Sequence, residues 1–231
     1  MMTDIFSIFD PSNSYLFSFF SMIFFLFSIS PIIISSLSFW MSSSPIQWTL
    51  MSLKSSMFNQ SSRTMGSHLK SFTFIIPSIF ILIILMNLMG LLPYMFSLSS
   101  HLIFTLSIGF PLWMSLIISG SKSNPSMSLA NLLPSGAPDW LSPPLIIIET
   151  LSIIIRPITL CFRLAANMTA GHIVLALIAT YLSSSILLSS SSIILLSFIQ
   201  VGYFIFEIGI CLIQAYIFSL LITLYSDDHP L

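Results

Sequence analysis

Hydrophobic residues in this chain fall into long continuous runs, and five stand out. The first covers residues 15–39, interrupted at Pro31; the second covers 71–95 and the third 102–118. The fourth, 145–182, and the fifth, 192–225, are much longer. Continuous apolar runs predict membrane helices, because a helix bonds all its backbone groups within one segment. They argue against a membrane barrel, whose strands alternate. A span takes about 20 residues at about 1.5 Å each, so the fourth run would reach nearly 60 Å, about twice the hydrocarbon thickness. Neither long run is divided by a Gly-Pro or polar cluster, so each is predicted to be one strongly tilted helix. The link between them, SSSILLSSSS, is short and predicts an antiparallel hairpin.

Between the first two runs, Ile46, Leu50, Leu53 and Met57 recur at helical spacing, with Trp40 and Trp48 nearby. This predicts an interfacial amphipathic helix. The expected fold is an all-α polytopic membrane protein forming one domain over 1–231. Its parts are a span at 15–39, an inner-side interfacial helix and loop at 40–70, and a two-span hairpin at 71–118. An inner loop at 119–144, the long tilted hairpin at 145–225 and a tail at 226–231 complete it.

Composition agrees with this. The chain is 56% hydrophobic and 6% charged, where soluble domains carry roughly 25% charged residues. A net charge of −1 gives no electrostatic basis for binding nucleic acid. Cys161 and Cys211 sit in apolar runs and are read as small core residues; no disulfide framework or zinc spacing is present. His68, His101, His172 and His229 lie in separate segments, with no spaced pair to hold a haem. No metal or cofactor is expected. The N-terminal stretch carries Asp4 and Asp10 without a basic residue, unlike a secretory or transit segment. Lys54, Arg63 and Lys70 in the first loop and Lys122 in the third place those loops inside, the N-terminus outside and the tail inside.

The remaining charges lie within the two longest runs. Glu149, Arg156 and Arg163 are each seven residues apart, and Asn167 continues their face. Gln200, Glu207 and Gln214 repeat that spacing on the fifth run, so each long helix carries a polar stripe. His172, nine residues beyond Arg163, points half a turn away from it. An ionisable group at mid-membrane costs at least about 2.5 kcal/mol and normally faces protein or water. Arg163 is a permanent cation and needs a carboxylate. One solution is structural, pairing Arg156 with Glu149 and Arg163 with Glu207; but buried ion pairs are poor stabilisers. Another is a self-contained proton-coupled transporter or respiratory-complex subunit working through its own Arg/Glu network.

The stretches NLMGLLPYMF (87–96), PLWMSLI (111–117), NLLPSGAP (131–138), IETLSIIIRPITLCFRLAANMTAGH (148–172) and EIGICLIQAYIFSLLITLY (207–225) together resemble the subunit a family of F-type ATP synthases, in its mitochondrial form. The resemblance covers the C-terminal two-thirds of the chain; the first 70 residues match only in general character. It implies a proton-translocating stator subunit of the Fo sector in the mitochondrial inner membrane. Expected partners are a ring of c subunits, peripheral-stalk and other Fo subunits, and lipid. By this resemblance Arg163 is the stator arginine facing rotor carboxylates. Glu149, Asn167, His172, Glu207 and Gln214 are expected to lie along two offset proton half-channels. Arg156 receives no role from the resemblance. The chain has no nucleotide-binding loop, so ATP chemistry belongs to partners.

Overall fold

The computed structural model describes residues 9, 29–30, 44–69, 71–92, 95–130, 132–133, 139–186 and 190–227. The expected first span at 15–39 lies outside the described residues apart from 29–30, as do Trp40, Lys70 and the tail beyond Asp227. The described part is helical: α1 (Pro45–Ser61), α2 (Phe72–Gly90), α3 (Leu102–Ser123), α4 (Pro125–Ala130), α5 (Ser142–Ser185) and α6 (Ser190–Asp227), with three short 3-10 turns. Four of these, α2, α3, α5 and α6, are long and apolar enough to cross a membrane.

The 44 residues of α5 and the 38 of α6 each form one continuous helix. At about 1.5 Å per residue they extend roughly 66 and 57 Å, so a bilayer with a core of about 30 Å can hold them only at a steep inclination. The helix of α5 continues through Pro157, which is buried. α6 runs back along α5, and contacts between them run in opposite chain order. Met168 meets Cys211, with sulfurs 3.5 Å apart, while Arg156 lies beside Tyr225 near the other end.

Helix ends follow local chemistry. Ser44 and Gln47 form a reciprocal capping box at the start of α1, with Pro45 in the first turn. α2 finishes at Gly90, short of residue 95, in the sequence GLLP. α3 runs on to Ser123, past the apolar run that ends near 118. The hydroxyls of Ser119, Ser121 and Ser123 bond carbonyls three residues back on the same helix, so a polar-looking stretch is compatible with helix.

One hydrophobic core joins α1, α2, α5 and α6 through Met57, Phe72, Phe80, Leu164, Phe218 and Ile222. Of the apolar positions expected on α1, only Met57 is buried among those whose side chains are described; Trp48 and Leu53 are exposed. The C-terminal half of α1 docks on the bundle, and the preceding half presents Trp48 and Met51 outwards. Asp227 accepts a bond from the Met65 backbone N–H at 2.7 Å, and the Gln60 side-chain amide donates to the Tyr216 hydroxyl at 2.9 Å. The basic first loop is thereby tied to the end of α6.

Candidate functional site

The polar stripes of the hairpin turn in different directions. On α5 the buried face carries Pro157, Leu160, Leu164, Met168 and Gly171. Arg163 lies off that face and is exposed. It makes no ion pair with a carboxylate among the described residues. Exposed Thr159, Ala166 and Ala170 accompany it at helical spacing, with the larger Ile155 and Phe162 also exposed on that side. On α6, an added methyl carbon at Gly202 or Gly209 would meet nothing within 4 Å among the described residues.

Glu207 does the opposite. It is 1% exposed and turns into the α5–α6 interface, where its carboxylate rests against Gly171. Tyr203, one turn earlier, brings its hydroxyl towards that carboxylate without good hydrogen-bond geometry. Neither carboxylate oxygen has a hydrogen-bond partner among the described residues. His172, next to Gly171, is half-buried, and its Nε2 is also buried and unpartnered. Its ring meets Phe9 edge-on, with centroids 6.3 Å apart. Arg163 therefore faces out of the bundle while His172 and Glu207 face into it at one level. Asn167 and Gln214 are half-buried. An Arg163–Glu207 pair does not form.

The pairing of Glu149 with Arg156 does form. Arg156 Nη2 lies 3.6 Å from Glu149 Oε1, and the guanidinium sits 5.5 Å from the centre of the Tyr225 ring. Both side chains remain more than a third exposed. Glu149 thus has a cation on its own helix, while Arg163, one heptad further on, has none among the described carboxylates.

Sequence reasoning missed a second set of buried polar groups. Asn87 on α2 is fully buried, and neither end of its amide has a partner among the described residues. Its neighbour Ser99 has an unpartnered hydroxyl, and both line a cavity of about 10 Å³ between α2, α3, α5 and α6. That is space for about one water. The available signal was a lone amide inside the otherwise apolar helix α2.

The ATP synthase A chain family pattern matches residues 14–227, almost the whole sequence. The chain belongs to the ATP synthase subunit a family. It is 35% identical over 228 residues to the ATP synthase subunit a of Artemia franciscana, covering 99% of this chain and 100% of that one. It is 39% identical to the subunit a of Locusta migratoria, covering 99% of each. With the subunit a of Albinaria caerulea it shares 49% identity over 150 residues, or 65% of this chain and 69% of that one. As a subunit a, the chain is a proton-conducting membrane component of an ATP synthase that works only within the complex.

Proposed function

We propose that Arg163 is the fixed cation against which acidic side chains of a rotating c-ring pass. Two offset half-channels in this chain then deliver protons to the ring and collect them from it. The observation carrying this reading is an exposed, permanently charged guanidinium on a membrane helix, without a carboxylate partner among the described residues. In lipid such a charge is costly. A moving carboxylate supplied by a neighbour relieves that cost. The self-contained transporter loses its main support, because Arg163 and Glu207 point away from each other.

The mechanism follows from electrostatics. The arginine favours the ionised form of a carboxylate that approaches it, so the rotor site releases its proton. A bare carboxylate cannot re-enter lipid cheaply, so it must take up a proton from the other half-channel first. The same positive charge repels protons and blocks a direct leak between the two channels. A potential near 180 mV supplies roughly 4 kcal/mol per proton, which biases rotation.

Within this scheme His172 and Glu207 form the outer access path, where buried unpaired groups can be bridged by water. Gln214 continues the Glu207 stripe. Asn167 lies between the arginine and His172, and Glu149 belongs to the inner path. The N-terminus faces the intermembrane space and the C-terminus the matrix of a mitochondrial inner membrane, consistent with the basic first loop tied to the end of α6. Peripheral-stalk and other Fo subunits hold the chain against the ring. ATP-driven proton pumping by assembled Arg163→Ala complexes tests the proposal: none is expected, and near-normal pumping would refute it.

A further inference from the structure

We infer that Gly171 is a positioning residue for Glu207: its missing side chain is the seat in which the carboxylate lies. This rests on the reading of Glu207 as a proton-path group.

A glycine inside a helix is a weak helix former and needs a reason. Backbone conformation does not supply it, because the only non-glycine positive φ among the described residues is at Ser71 and Gly171 lies within regular α5. Space does. A methyl carbon built on Gly171 would coincide with the Glu207 carboxylate, meeting Oε1 and Cδ and lying 2.6 Å from Oε2. The contrast with Gly202 and Gly209 is direct, since their missing side chains face open space. Glu207 is almost fully buried, so its acid group occupies this one notch in the α5 surface.

The seat has a chemical consequence. It lets Glu207 extend across the interface until its carboxylate reaches α5 at Gly171, the residue before His172, whose Nε2 is likewise buried and without a partner among the described residues. Two proton-accepting groups from different helices are held at one level. An alanine at 171 removes the seat. The group it displaces is the far end of a flexible side chain, so the helices need not part; the carboxylate swings away from His172 instead. Loss of relay geometry by an ångström or more costs rate steeply.

The test is a size exchange measured as proton conduction per assembled complex. Gly171→Ala is expected to lower conduction roughly tenfold. Glu207→Asp, shorter by one methylene, restores room for the new methyl while keeping an acid, so Gly171→Ala/Glu207→Asp should conduct better than Gly171→Ala alone. If Gly171→Ala fails to assemble, recovery of assembly by the added Glu207→Asp supports the seat. Normal conduction by Gly171→Ala, or a double variant no better than the single one in both conduction and assembly, overturns it. Glu207→Gln separates the two claims. If it is impaired while Gly171→Ala is normal, only the seat fails; if it conducts normally, the role of Glu207 itself fails.

Discussion

Near the end of α6, Arg156 lies 3.6 Å from Glu149 and over the Tyr225 ring; seven residues further along α5, Arg163 has neither a described carboxylate nor a described ring against it. The two arginines share a helix and nearly a face. A heptad drifts by about 20° on a straight helix, too little to explain the difference. What differs is what each can reach: Arg156 has Glu149 on its own helix as well as a ring on α6. At Arg156, α6 presents Tyr225 towards it, whereas near Arg163 the acid of α6, Glu207, is turned into the interface against Gly171. The first region has its ion pair and its ring contact within the chain. The second leaves a cation outside and an acid inside, each without a partner, and such groups are available for exchange with something that moves.

The largest effect expected from disturbing this contrast is at Arg163. Arg163→Ala should abolish coupled proton transport, and Arg163→Lys should impair it severely, because an ammonium does not reproduce a planar fork. Proton pumping by purified, reconstituted complexes measures both. Next comes Glu207→Gln, which keeps the shape and removes the acid. It should slow translocation by about tenfold or more, in the range of a lost proton-transfer group, while complex yield on native gels stays close to wild type. Normal conduction with a collapsing complex would make Glu207 a structural group. The smallest effect is expected at Arg156→Gln. Its partners, Glu149 and the Tyr225 ring, lie within this chain, so its loss should change transport less than Glu207→Gln does. A complete loss would mean that the paired region is as active as the unpaired one, and the contrast would dissolve.

Much of the architecture could be read from hydrophobicity and length, since lipid leaves a run of this kind little choice but a helix. The hairpin 145–225 was legible because its runs are too long to cross upright. The end of α3 was not, because SGSKS looks polar while its serine hydroxyls bond their own helix. On α1, spacing identified a helix but not that docking centres on Met57, leaving Leu53 exposed. The site was half legible. Heptad spacing placed Glu149, Arg156 and Arg163 together and put His172 on the opposite side. It could not say which face of α5 meets α6, so it could not separate an Arg163 pointing out from a Glu207 pointing in. Nor could it say that Glu207 packs against Gly171, because the register of the hairpin depends on how side chains interlock. Gly171 itself gave no signal, since a notch exists only relative to what fills it.

The central claim is that the outer face of α5 around Arg163 meets the rotor while the inner face does not. Cross-linking in the intact complex tests it most directly. A short thiol-specific photocross-linker is attached at Ala166→Cys or Ala170→Cys, both exposed beside Arg163. The native Cys161 and Cys211, both buried, serve as inward-facing controls. Adducts are expected between positions 166 or 170 and the small ring subunit, and none from the two native cysteines. Ring adducts from Cys161 or Cys211, or their absence from both 166 and 170, would contradict the claim.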